Sequence, residues 1–405
     1  LINFILKENT SFLDLNVQSG ISQQGDGKSI GLNSNYGFSV GEKGGFMNLT
    51  FDFRKNGHVN RSGSYTGPVY GDQRDQNPDS VALFFNQPGF RQNRVMSASS
   101  AAILNSGIFL NAVFPLEKNI EIYTFGGFNY RQGDSGGFYR FPYQETKQSG
   151  LYELGFSPKI RSDIFDHTFT LGVKALKRDW EIDFSNSTGN NKIDFTVYNY
   201  NNDSLGLASP TTAYAGGYAY THNISNLDVR KKIQEPLSIN IAFGGEFRLE
   251  NYRQKAGEKS SWHNGGAQTV DGRAKEAGFQ LFPGFRPENA INKYRFNNGL
   301  YLDLESEINP KLLLGFAGRY ELYSDFGSNF SWKLAGRYKI KEHFSLRGTL
   351  NTGFRAPSMP QIFSSSNSIQ FINIGEELTG VNVAHFNNIN PVTTLFGIMP
   401  LQAET

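Results

Sequence analysis

The 405-residue chain contains no cysteine, which removes both a disulfide framework and any thiolate metal site. It also has no apolar run near the roughly 18 residues of a spanning helix, and its mean hydropathy is −0.44. These absences exclude a helical membrane protein. They do not exclude a membrane β-barrel, because half of each barrel strand faces a polar lumen and the hydropathy averages out. Excess charge is lacking too: 39 Lys and Arg against 37 Asp and Glu leave a net +2. With no basic tract, nucleic acid is not an expected partner. The histidines (His58, His167, His222, His263, His343 and His385) are too dispersed for a recognisable ligand set, so neither a metal nor a cofactor is expected. What the chain has in quantity is glycine, 44 residues, and phenylalanine, 35 residues.

Period-two segments recur near residues 10–20, 29–41, 46–54, 101–114, 120–131, 149–157, 167–175, 179–186, 192–199, 223–233, 238–251, 293–306, 312–323, 329–340 and 344–353. Many approach the roughly 9 to 11 residues of a membrane strand, longer than the about five or six usual in soluble sheets. Connections after even-numbered segments read as short turns: GEKGG at 41–45, PLEKN at 115–119, NSTGNN at 186–191, QEPL at 234–237, NPK at 309–311 and KEH at 341–343. Those after odd-numbered segments include the long ones, near 55–100, 132–148, 200–222, 252–292 and from 354 onward. Short turns on one rim and long loops on the other are the asymmetry of an outer-membrane barrel.

The faces agree. Leu300, Leu302 and Leu304 alternate with Tyr301, Asp303 and Glu305, and Phe330, Trp332, Leu334, Tyr338 and Ile340 alternate with Ser331, Lys333, Arg337 and Lys339. The apolar sets are expected to meet lipid and the polar sets to line a lumen. Tyr36, Phe53, Tyr294 and Tyr323 near strand ends suit an interfacial aromatic girdle. A soluble sandwich or propeller also alternates, but its strands are shorter and its loops do not sort by parity. The expected fold class is all-β, an antiparallel transmembrane β-barrel.

Two enzyme-like strings do not carry chemistry. Gly133-Asp134-Ser135-Gly136-Gly137 reproduces the GDSGG around a protease serine, but Phe138 follows it and no suitable histidine motif lies upstream. It reads as a flexible loop. Gly27-Lys28-Ser29 resembles the end of a phosphate loop, yet Ser22 takes the place of the first glycine and no helix follows. It reads as a hairpin turn. Candidate ligand contacts on the loops are Tyr65, Tyr70, Arg74, Trp262, His263 and Phe282, where aromatic faces lie near hydrogen-bonding groups. On the lumen wall the candidates are Asp303, Arg319, Glu321 and Arg347.

The segment SLRGTLNTGFRAPSMPQ, Ser345 to Gln361, is an amphipathic strand that must stop soon after Gly353, because Pro357 and Pro360 cannot donate to a ladder. It resembles the most recognisable barrel segment of the TonB-dependent outer-membrane receptors, with Gly353, Phe354, Arg355, Ala356 and Pro357 as its signature. Ile2-Asn3 with Leu6-Lys7 resembles the family's junction between plug and barrel, RYELYSDFG at 319–327 a mid-barrel hairpin, and NDSLGLASPTT at 202–212 a recurrent loop. The closing LQAET resembles the opening of a next strand, with Ala403 for the usual proline.

The resemblance implies that residues 1–7 end a plug and 8–405 form a partial barrel, about fifteen of 22 strands. Both ends read as interior to a longer polypeptide. It further implies a non-enzymatic importer of a scarce ligand such as a siderophore, vitamin, glycan or peptide. Its partners would be the TonB complex, engaged through an absent N-terminal region, outer-membrane lipid and the ligand, with a surface lipoprotein as a further candidate. The other class left open is a surface-exposed β-rich glycan-binding protein or adhesin.

Overall fold

A computed structural model describes residues 5–8, 11–63, 65–86, 99–144, 150–235, 237–280, 282–374 and 377–404. In chain order the strands are β1 (Leu13–Gly20), β2 (Ser29–Val40), β3 (Gly45–Asn56), β4 (Val59–Asn60), β5 (Ser99–Ser100), β6 (Ala102–Glu117), β7 (Ile120–Gly136), β8 (Lys159–Lys177), β9 (Trp180–Tyr198), β10 (Thr212–Ile233), β11 (Ser238–Lys255), β12 (Ile291–Asn309), β13 (Leu312–Tyr323), β14 (Gly327–Lys341), β15 (Phe344–Asn351), β16 (Ser366–Ile374) and β17 (Glu377–His385). Three short helices, α1 (Pro78–Phe85), α2 (Met359–Phe363) and α3 (Pro391–Leu395), lie in the connections.

Thirteen strands make one antiparallel sheet in the order β1-β2-β3-β6-β7-β8-β9-β10-β11-β12-β13-β14-β15. Each pairs with its neighbours along the chain, the topology of an up-and-down barrel wall. No helix among the described residues is long and apolar enough to cross a membrane. The strands do so instead: β8 and β9 have 19 residues and β10 has 22, enough to cross and continue above the bilayer.

Side-chain alternation sorts the two faces through the pairing register. Ile241, Leu304, Phe316, Leu334 and Leu350 lie opposite one another across five strands, and the row beside them carries Leu302 and Trp332. Leu300, Phe330 and Leu350 are more than half exposed. In water such a belt would aggregate; against lipid tails it is the stabilising surface. The intervening rows carry Asp303 with Lys333, and Tyr301 with Arg319 and Ser331. Buried apolar clusters therefore lie in the loops. Val69, Phe84, Phe85 and Phe141 form one, and Phe156, Tyr200 and Phe279 belong to another that includes the strand residues Val197 of β9 and Ala213 and Ala215 of β10.

Four expectations are corrected. Residues 150–157 are not a strand: the segment only bridges back through Arg140 and Phe156, and 145–149 lie outside the described residues. NSTGNN is not a turn, since β9 runs straight through it and the two segments expected there are one. Cross-strand partners outweigh its turn-like composition. The main sheet therefore holds thirteen strands, with the β16–β17 hairpin outside it unanticipated. Within GDSGG, Gly133 to Gly136 belong to β7 and pair with β8, leaving only Gly137 in the loop. Tyr323 faces the lumen, where the Arg295 guanidinium lies 5.6 Å from its ring, and does not join a girdle.

The asymmetry of the rims holds. Two to four residues separate β2 from β3, β6 from β7, β8 from β9, β10 from β11, β12 from β13 and β14 from β15. The β8–β9 turn, Arg178-Asp179, has positive φ at both positions, the twist-matched geometry that two-residue hairpins prefer.

Candidate functional site

The lumen face of β10–β13 is a ladder of alternating charge. Arg248 on β11 lies 2.9 Å from Glu246, which also meets Arg319 of β13 at 3.5 Å, and Arg319 reaches Glu321 at 3.1 Å. Two of the wall residues expected from sequence, Arg319 and Glu321, are thus brought together. Asp303 and Arg347 are exposed and not paired with them. Arg347 sits directly opposite Arg337, a like-charge cross-strand pair that is unfavourable unless water or a counter-charge screens it.

One step up the wall is a pair that sequence did not single out. Glu250 and Arg295 have side chains 5% and 6% exposed and meet at 2.7 Å. Glu250 also accepts from the Tyr220 hydroxyl. Arg295 donates from Nη1 to the Pro357 carbonyl at 2.8 Å and lies 3.8 Å from Asp325. The pair holds the segment after β15 against the wall. Nearby, Gln254 donates to the Ser365 carbonyl at 2.6 Å, and Met359 is fully buried.

Beside this clamp a depression of about 470 Å³ runs along β3 to β10, lined by Asp52, Asn129, Asp166, Asn191, Tyr220 and His222. Its floor is bare backbone at Gly107, Gly127 and Gly189. A Cβ at Gly189 would lie 2.6 Å from the His222 ring, so glycine is what lets the imidazole fold down onto the wall. The lining is mostly apolar surface, with Phe109 among its residues, interrupted by these polar side chains, and no metal-ligating group of three or more acidic or histidine side chains occurs among the described residues.

Four of the loop candidates make packing contacts. Tyr65 stacks on Phe141 at 4.4 Å, Tyr70 meets Phe84 edge-on at 5.9 Å, and Arg74 covers the Tyr70 ring at 4.3 Å while pairing with Asp72 at 2.6 Å. Phe282 packs on Phe195 and Phe285. Trp262 and His263 are half-buried, and the His263 carbonyl is held at 2.8 Å by Asn202. Asn202, Asp203 and Ser204 knot the loops together. Ser204 Oγ accepts from the Gly265 N–H at 2.9 Å, and Asp203 accepts from the amides of Asn201 and Gln280. Burial pushes the Asp203 carboxyl up to about 8, further raised by nearby Glu276 and opposed by the Asn201 and Gln280 amides and by Lys275. The NDS string was visible in sequence, but its role as a buried knot was not.

Residues 114–405 match the family described as TonB dependent receptor-like, beta-barrel. The chain belongs to this family of TonB-dependent receptors. Residues 1–113 lie outside the match, yet β1, β2 and β3 continue the same sheet. Among solved structures the chain is similar to the ferric enterobactin receptor of Pseudomonas aeruginosa, with a TM-score of 0.56 and 12% identity over 88% of this chain and 46% of that one. It is also similar to the siderophore receptor PirA of Pseudomonas aeruginosa, with a TM-score of 0.54 and 11% identity over 89% and 47%. For PirA of Acinetobacter baumannii the values are 0.55 and 12% over 89% and 46%. These likenesses show the fold. Comparison with curated proteins finds no match. The chain spans under half the length of those receptors.

Membership places the protein in the bacterial outer membrane, in a family of transporters and receptors, and gives the signature segment a structural meaning. Gly353 is exposed, Phe354 packs at 5.8 Å on Tyr323, and Arg355 pairs with Glu404 through two backbone hydrogen bonds and a 3.8 Å ion pair. Ala356 is half-buried and Pro357, buried, supplies the carbonyl that Arg295 grips. Of the junction motif, Ile2-Asn3 lies outside the described residues, while the Lys7 carbonyl accepts from Asn111 on the lumen face of β6 at 3.0 Å.

Proposed function

We propose that the chain is the wall of an active importer, through which a scarce ligand bound at the outer rim passes inward when TonB pulls on a plug. The observation that carries this reading is the face inversion: an apolar exterior encloses a wall with Arg319, Glu321, Asp52 and Asp166 on its inner side. A wall meant only to anchor a surface adhesin gains nothing from that lining, whereas a hydrated pathway needs it. The approach of Lys7 to Asn111 supports residues 1–7 as the end of a plug entering the lumen. Asp303 and Arg347, exposed and outside the ladder, are the proposed wall contacts for a polar ligand. Trp262 and His263 are the proposed contacts at the rim.

The test is uptake by cells expressing the full-length receptor, using a panel of ferric siderophores, cobalamin, oligosaccharides and peptides. One ligand should accumulate in the periplasm, and an uncoupler should abolish accumulation while leaving surface binding. Binding with no energy-dependent accumulation for any member would overturn the reading in favour of a surface-binding protein.

A further inference from the structure

On β8, β9 and β10 the outward face ends at the short-turn rim in a row of two lysines and a tryptophan. Alternate positions share a face, so Phe169, Leu171 and Val173 lead down the outside of β8 to Lys177. Phe184 and Ile182 lead to Trp180 on β9, and Leu227 and Val229 lead to Lys231 on β10. The register sets Lys177 opposite Trp180, and Trp180 opposite Lys231. The two lysine backbones therefore flank the indole at two strand spacings, about 10 Å apart. Lys231 Nζ lies 5.0 Å from the Trp180 ring centroid, and the Phe243 ring meets the same indole edge-on at 6.2 Å.

A lone interfacial lysine needs no particular lipid, because its stem can carry the ammonium out to water. Here one ammonium is turned back over an indole, and neither lysine has an ion-pair partner among the described residues. Glu181, next to Trp180 in the chain, points to the lumen and is taken by Lys174 at 3.3 Å and Arg230 at 3.7 Å. The adjoining turns add Arg178, Asp179 and Glu235, all exposed, so three cations stand against two carboxylates. The Trp180 N–H donates to no acceptor among the described residues. One row further into the belt the outward side chains are Ala175, Ile182, Val229 and Phe243, a surface for acyl chains. Donors for an anionic oxygen group with hydrocarbon contacts beginning one row away fit a phosphate carried on a lipid. A free anion would leave the apolar row uncovered. Short turns mark the periplasmic rim of an outer-membrane barrel, so the lipid is a glycerophospholipid of the inner leaflet.

We propose that Lys177, Trp180 and Lys231 hold the phosphate of an anionic glycerophospholipid of the inner leaflet. The inference is independent of the transported ligand. The test is native mass spectrometry of the full-length receptor in detergent micelles titrated with dioleoylphosphatidylglycerol. A discrete single-lipid adduct should form and be retained over dioleoylphosphatidylethanolamine at equal concentration. The double variant Lys177→Gln, Lys231→Gln should keep the heat-modifiable gel shift of a folded barrel and weaken the adduct roughly thirtyfold for the two cations removed. The double variant Lys311→Gln, Lys341→Gln makes the same charge change at the β12–β13 turn and the end of β14, and should leave the adduct intact. Equal retention of the two lipids, an equal loss in both double variants, or displacement by inorganic phosphate at the lipid's own concentration would each overturn the proposal, the last by showing a site for free anions. Should the Lys177, Lys231 variant not fold, the lipid comparison and the phosphate competition decide alone.

Discussion

Replacing Arg295 by Met in the full-length receptor removes one half of an ion pair whose side chains are 5% and 6% exposed. Glu250 is then left with Tyr220 as its remaining partner in the clamp, and the Pro357 carbonyl loses its donor. Breaking a buried pair from one side costs about 3 to 5 kcal/mol, because the surviving charge cannot be rehydrated. Glu250→Leu should cost a similar amount, leaving the guanidinium only the Pro357 carbonyl and Asp325 at 3.8 Å. Replacing both, Glu250→Leu with Arg295→Met, removes both charges together and should be no worse than either single change, a coupling of about 2 kcal/mol or more. Denaturant unfolding of the receptor in lipid vesicles, followed by the heat-modifiable gel shift, measures all three. Limited proteolysis supplies a local readout, since Arg295→Met should expose cleavage sites between Thr352 and Ser365. Single variants that each cost under about 1 kcal/mol and simply add in the double would show that water reaches the pair and that it does not clamp Pro357.

Three further outcomes are expected. Leu302→Arg on the lipid face should destabilise the barrel by about 2 to 4 kcal/mol, and Asp303→Asn on the lumen face by much less; equal costs in vesicle folding titrations would mean a register slipped by one residue. Epitope tags at Gly265 should be labelled on intact cells and tags at Lys43 or Lys118 should not, since those lie in opposite rims; surface labelling of the short turns would invert the topology. The loop knot should loosen as pH rises: the Asp203 carboxyl keeps its proton in the folded state up to about 8 against 3.8 in an exposed carboxyl, so the folded loops bind more protons than the open ones across that window. Their stability should fall by up to about 1.4 kcal/mol per pH unit there, and Asp203→Asn should flatten the dependence of protease cleavage between Gly265 and Gly272.

Strand alternation made the fold legible because a barrel strand records its two environments directly in sequence: Leu300, Leu302 and Leu304 on one side, Tyr301, Asp303 and Glu305 on the other. Where the record failed, it failed for one reason. NSTGNN has the composition of a turn, and β9 is held there by Ile193 opposite Ile164 and by Phe184 opposite Val173, contacts set by neighbouring strands rather than by the segment itself. The turn expected at 186–191 and the strand expected at 149–157 each lower the count by one, from fifteen to thirteen, so the parity of short and long connections survived two errors. The β8–β9 turn carries no glycine or asparagine to mark its positive φ angles.

The site was less legible than the fold, and the aromatic loop residues show why. A barrel has no interior core, so the long loops must build their own from whatever large side chains they carry. Tyr65, Tyr70 and Phe282 are used for that, stacked on Phe141, Phe84 and Phe195. A tyrosine chosen to hold a loop and one chosen to hold a ligand have the same composition around them, since both need an apolar face and a polar neighbour. Charge is more informative because it cannot be hidden without a partner. Arg319 pairs with Glu246 and Glu321, and Arg295 with Glu250. Arg347 faces Arg337, neither has an ion-pair partner among the described residues, and an anionic group placed between them would screen a like-charge cross-strand pair.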